Sequence, residues 1–242
     1  MEVLFIDNNN GVYIFPYSYV SFYIDNYNKI PESKCNSFKL EHYEVYNPTI
    51  IVLYNPSMYA KNIIKNKGIK HIIIMNVTNI NPNFFRNLYV EKLRLCALNN
   101  YSIFSHLHNL VELTIEISNI IPLYNMNFLR SLKKLTIISK IHFNLNDINN
   151  HNIEHLNLSK STNCDLEGIT NFKNLKSLEI NGERQLNDKV PLTLELLQIN
   201  GLLKMDESIL RYKHIPKVVL YLCCVDENIK MDNIIKTSCY SI

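Results

Sequence analysis

The chain has 242 residues, 47% of them hydrophobic, with 25 Lys and Arg against 22 Asp and Glu and a formal net charge of +3. That is enough apolar material for one substantial core. So small and dispersed a cationic excess argues against a polyanion as the main partner, and no apolar run approaches the roughly 18 residues of a membrane-spanning helix.

Residues 1–47 open with two apolar runs, Val3-Leu4-Phe5-Ile6 and Val12-Tyr13-Ile14-Phe15, around Asp7-Asn8-Asn9-Asn10-Gly11. Asn-Gly between such runs predicts a β-hairpin. Tyr19–Ile24 and Phe38–Tyr46 also alternate as strands do. The block is expected to be a β-rich N-terminal cap over the central part of the chain, or else a separate small binding module.

From residue 48 to 222 a pattern repeats, apolar-x-x-apolar-x-apolar. It reads Ile69/Ile72/Ile74, Val90/Leu93/Leu95, Leu110/Leu113/Ile115 and Leu132/Leu135/Ile137. It continues as Ile153/Leu156/Leu158, Leu175/Leu178/Ile180, Leu194/Leu197/Ile199 and Ile215/Val218/Leu220, with a weaker copy at Pro48/Ile51/Leu53. The spacings between first positions of the eight main copies are 21, 20, 22, 21, 22, 19 and 21. The last two apolar positions of each copy lie two apart, on one face of a short strand. Such a unit buries one side of one strand and is not stable alone, so neighbours must stack into a parallel sheet with a shared core. Between strands, Phe85/Leu88, Phe104/Leu107, Phe128/Leu129 and Phe172/Leu175 should pack as short helical turns or coil.

The blocks Leu110–Ser118, Leu132–Lys140, Ile153–Ser161 and Leu175–Glu183 resemble the L-x-x-L-x-L segment of leucine-rich repeats. The resemblance implies an α/β solenoid of about eight to nine units. A curved parallel sheet would line its concave side, with short helical turns or coil on the convex side. The usual turn Asn or Cys, three residues after the last strand position, is replaced by Val77, Leu98, Ser118, Lys140, Ser161, Glu183 and Leu202; only Cys223 keeps the pattern. The Asn-, Ile-, Lys- and Tyr-rich composition, together with the repeat type, resembles short leucine-rich-repeat proteins of large AT-rich DNA viruses such as poxviruses. That implies a host-interaction protein of the host cytoplasm.

Residues 223–242 should close the far end. Asp226 is placed to cap a short helix across Ile229, Ile234 and Ile235.

The catalytic inventory is poor. There is no H-E-x-x-H, G-x-S-x-G, P-loop or G-x-G-x-x-G, and five glycines leave little for phosphate-cradling loops. His106 and His108 fall in a convex-side loop and lack further ligands of suitable spacing. None of the six cysteines forms a C-x-x-C pair, so free thiols in a reducing compartment are expected. Cys96 should face outward as the most accessible thiol. The N-terminus does not resemble a signal peptide. No enzyme activity, cofactor or metal is expected.

If the register holds, the outward strand positions are fixed as well. Lys133, Glu154, Lys176 and Glu195 alternate in sign along neighbouring strands, as a stabilising charge ladder would. The middle of the concave face should carry His71, Lys92, Arg94, Glu112, Thr114, Lys134, Thr136, His155, Asn157, Glu179 and Gln198. This mixed polar surface suits a protein partner bound by a monomer, with Arg94 as the expected anchor. The alternative is nucleic acid on a basic patch of Lys92, Arg94, Lys133 and Lys134, which Glu91, Glu112 and Glu116 interrupt.

Overall fold

A computed structural model of the chain describes residues 2–6, 12–16, 36–38, 47–54, 57–75, 80–96, 102–118, 123–148, 150–162, 164–181, 190–201, 204–205, 207–225, 230–238 and 240–241. The chain divides into two compact units, residues 1–115 and 116–242.

In the first unit the strands are β1 (Glu2–Ile6), β2 (Val12–Pro16), β3 (Asn36–Phe38), β4 (Ile50–Leu53), β5 (His71–Ile74), β6 (Lys92–Leu95) and β7 (Glu112–Ile117). They lie side by side in the order β3-β2-β1-β4-β5-β6-β7. The expected hairpin is present: β1 and β2 run antiparallel with Ile6 opposite Val12. Its turn lies outside the described residues, as do Tyr19–Ile24 and residues 39–46. The sequence did not anticipate that β1 also pairs parallel with β4, Val3 opposite Ile50, and so extends the repeat sheet by one strand.

From β4 to β7 every step is parallel and in repeat register. Ile51, Ile72, Leu93 and Leu113 align, as do Leu53, Ile74, Leu95 and Ile115. All eight are fully or almost fully buried. The register is set where the chain turns into each strand. The Lys70 carbonyl accepts the Glu91 and Lys92 amides, and the Glu91 carbonyl accepts those of Val111 and Glu112.

One full helix, α1 (Met58–Lys67), fits between β4 and β5, where a turn was expected. Local chemistry explains it. The Ser57 side chain caps the N-terminus by accepting the Ala60 amide, and Gly68 ends the helix in the left-handed region at φ 61. Ala60, Ile63 and Ile64 form the buried stripe between those signals.

In the second unit the main strands are β8 (Lys134–Ser139), β10 (His155–Leu158), β12 (Ser177–Asn181), β13 (Leu196–Asn200), β15 (Lys217–Tyr221) and β17 (Ile234–Thr237), adjacent in that order. All their pairings are parallel, with Leu135, Leu156, Leu178, Leu197 and Val218 in line. Two small parallel sheets lie beyond the main strands. One pairs β9 (Phe143–Asn144) with β11 (Cys164–Asp165), and the other joins β14 (Lys204–Met205), β16 (Cys224–Val225) and β18 (Tyr240–Ser241).

The expected C-terminal helix across Ile234 and Ile235 is not formed. These residues lie in β17, which adds another parallel strand to β15. Three of the four residues Ile234, Ile235, Lys236 and Thr237 are β-branched and favour a strand.

The segments between strands are mostly single 3-10 turns, among them Pro82–Phe85, Ser102–His106, Leu145–Asp147 and Glu167–Asn171. Phe85, Leu88, Phe104, Leu107, Phe172 and Leu175 pack inward as expected. Of the pair Phe128/Leu129, Leu129 is buried as expected but Phe128 is 56% exposed, while Met126 of the same turn is buried.

The missing turn asparagines are replaced in two ways. Ser161 is buried, and its Oγ donates to the Ile137 carbonyl of the preceding repeat at 2.7 Å. Cys223, at the same place in its own repeat, directs its thiol to the Ile199 carbonyl at 3.6 Å. A second set precedes the strands. Asn152 Nδ2 donates to the Arg130 carbonyl at 2.8 Å, Asn174 Nδ2 to His151 at 2.7 Å, and Thr193 Oγ1 to Leu175 at 2.8 Å. Buried Asn150 donates to both Met126 and Leu129 carbonyls. These bonds satisfy backbone groups that irregular turns leave open. Parallel strands at the repeat spacing, a shared inward core and short turns between them define a leucine-rich-repeat fold of the α/β class.

Candidate protein-binding face

Each strand sends alternate side chains away from the core, and the parallel register gathers them into rows. In the first unit one row reads Val3, Ile50, His71, Lys92 and Glu112, and the next reads Phe5, Val52, Ile73, Arg94 and Thr114. The expected site residues of this unit therefore do share the outward face.

Much of that face is closed. Val3, Phe5, Ile50, Val52, Ile73, Met75 and Cys96 form a buried apolar cluster, with Tyr54 packed against it. Cys96 has the predicted outward direction but is only 6% exposed, so the expectation of an accessible thiol is corrected. The reason is packing: Cys96 belongs to this apolar cluster, which runs across the outward face from β1 to β6. Open polar surface begins at Lys92, which is exposed, with Arg94, Glu112 and Thr114 half-buried.

Two ion pairs lie on or beside these rows. Lys70 Nζ lies 2.8 Å from Glu91 and Lys92 Nζ lies 3.1 Å from Glu112. Burial, and then the neighbouring Lys92, holds the His71 imidazole below its usual pKa, with Glu112 opposing, so the neutral form is favoured. Arg94 is different. Its Nε is buried with no hydrogen-bond partner, and no ion pair forms at its guanidinium among the described residues.

In the second unit the rows are Lys134, His155, Ser177, Leu196 and Lys217, then Thr136, Asn157, Glu179, Gln198 and Val219. Lys134 and His155 are exposed; Thr136, Asn157, Glu179 and Gln198 are half-buried. Glu179 is the hub. Its carboxylate accepts from Asn157 Nδ2 and Asn200 Nδ2, each at 2.6 Å, and from Gln198 Nε2 at 3.4 Å. Gln198 also donates to Asn200 Oδ1 at 3.0 Å, and Asn157 Oδ1 accepts from the Ser159 amide and hydroxyl. Asn200 was not among the expected site residues. It lies two positions beyond Gln198 on the same strand, so the two-residue period carries it to the same face.

Beside these rows runs the predicted charge ladder. Glu154 bridges Lys133 at 2.6 Å and Lys176 at 2.9 Å. Hydrogen bonds from Lys133, and then from Lys176, hold its carboxyl down at about 2. Glu195, the expected fourth member, makes no ion pair among the described residues. These four residues, with Asn174 and Thr193, line a shallow cavity of about 450 Å3. Its two lysines and two glutamates balance in charge. Among the described residues no three His, Cys, Asp or Glu side chains converge as metal ligands, and no helix is long and apolar enough to cross a membrane.

No protein-family model matches the chain, and no curated protein does. Among solved structures it is similar to an internalin (inlF) from Listeria monocytogenes. The two are 15% identical over 81% of this chain and 69% of that chain, with a TM-score of 0.48.

Proposed function

We propose that the chain is a non-enzymatic module that binds another protein through the outward face of its repeat sheet. The observation that carries this reading is the Glu179 network. Four polar side chains from three adjacent strands are held in fixed positions on a surface that the fold does not need to be polar. Repeat sheets present extended surfaces of this kind, and their mixed donors and acceptors suit a protein with polar features of its own. In keeping with the compositional resemblance to viral repeat proteins, the partner is proposed to be a host protein met in the cytoplasm.

The nucleic-acid reading is weaker. Lys92 and Lys133 are each paired with a glutamate, so the expected basic patch offers phosphate little free charge.

The test is affinity capture from host-cell lysate with mass spectrometry, using the wild type, the outward-face variant Thr136→Arg/His155→Glu and the turn variant Lys173→Glu. Melting curves confirm that each is folded. A protein retained by wild type and Lys173→Glu but lost from the outward-face variant supports the reading. Retention by the outward-face variant moves the site elsewhere and overturns it.

A further inference from the structure

We propose that Arg94 is a carboxylate-recognition site: an acidic side chain of the partner protein pairs with its guanidinium at the rim of the buried apolar cluster. The inference rests on the outward face being the docking face.

In register Arg94 lies between Ile73 of β5 and Thr114 of β7. On its own strand the outward neighbours are Lys92, a like charge, and Cys96, a buried thiol. Ile73 and Cys96 belong to the closed apolar cluster. Arg94 thus borders that cluster in register; its Nε–H is buried without an acceptor, which leaves the two outer amino groups of the half-buried guanidinium as the atoms that meet a ligand.

An unpaired donor of this kind is costly, and native structures rarely leave one without a reason. The neighbouring cations do not share the problem. Lys70 has Glu91 and Lys92 has Glu112, at 2.8 and 3.1 Å. Those two pairs cancel, and His71 favours its neutral form. Among the described residues of these two rows, the positive charge that remains is Arg94. It is also the cation best built for a planar, two-oxygen acceptor. The apolar cluster excludes water from one side, which strengthens a pair formed there. Arg94 marks the line where the closed surface gives way to the open rows, so a partner lying on those rows meets it at their edge.

The probe is a library of random twelve-residue peptides displayed on phage and selected on the full chain. Enriched peptides are synthesised and titrated by fluorescence polarisation against wild type, Arg94→Met, Arg94→Lys and the face control Thr114→Arg. The expected peptides share an Asp or Glu, and changing that acid to its amide weakens binding to wild type by about thirty-fold. Arg94→Met weakens binding similarly and makes the acid-to-amide change silent, whereas Arg94→Lys restores part of the loss. Arg94→Met should melt no lower than wild type, since no internal partner is lost. Enriched peptides without a shared acid, binding indifferent to Arg94→Met, or a collapse of the Arg94→Met fold each overturn the proposal. If Thr114→Arg abolishes binding while Arg94→Met does not, the face is right and the anchor wrong. If neither variant matters, the docking face itself is wrong.

Discussion

Ser161 sits where leucine-rich repeats usually place asparagine, and its hydroxyl reaches a strand carbonyl of the preceding repeat. Its removal leaves that carbonyl buried and short of a donor. Ser161→Ala should cost about 1–3 kcal/mol in urea unfolding, although the change removes one oxygen atom. His71 carries a pH dependence of opposite origin. Its folded pKa lies below the usual 6.5 because burial and Lys92 disfavour the cation. The unfolded chain therefore binds this proton first as pH falls. The contribution of His71 to stability is complete above 6.5 and is lost as pH drops through the lowered folded value. His71→Phe should flatten that part of the stability profile, and melting temperatures of the two proteins between pH 7 and 5 would show the curves diverging on the acid side.

Among the elements, two 3-10 turns pack backbone against backbone at Gly168. A Cβ built on Gly168 would lie 2.4 Å from the Asn146 nitrogen and 2.5 Å from the Leu145 carbonyl carbon, both backbone atoms of the neighbouring turn. Neither can yield as a side-chain tip would, so Gly168→Ala should cost about 1–3 kcal/mol. Gly68→Ala meets no atom within 4 Å, but its φ of 61 belongs to the left-handed region; the expected loss is about 1–2 kcal/mol. Thermal unfolding of both variants separates crowding from backbone strain, because Gly68→Asn should recover part of its loss and Gly168→Asn none. None of this turn chemistry was legible beforehand. The bonds of Asn150, Asn152, Asn174 and Thr193 run to carbonyls of the previous repeat. Asparagine is so common here that the useful copies do not stand out. The strands were legible because their apolar triplets recur at 19–22 residues and every member is buried.

At the scale of the molecule, the register itself can be tested with two adjacent residues. Leu135 is 1% exposed and aligned with Leu156 in the core, and Thr136 beside it points outward. Leu135→Asp places an unpaired carboxylate in an apolar interior and should unfold much of the second unit. Thr136→Asp should be tolerated, and circular dichroism distinguishes the two directly. Equal damage from both would mean that the inward and outward positions are misassigned. The outward rows were legible from the two-residue period, but not which parts of them are open. Cys96 shows why: it is buried in one apolar cluster with Val3 and Phe5 of β1, a strand that no repeat motif announces.

The Glu179 hub has a further consequence, in the entropy of association. Asn157, Gln198 and Asn200 are already tethered to one carboxylate before any partner arrives. Loose side chains of this type lose about 0.5–1.5 kcal/mol each in motional freedom when an interface forms. Here much of that loss has been taken during folding, so a partner finds these amides already in place.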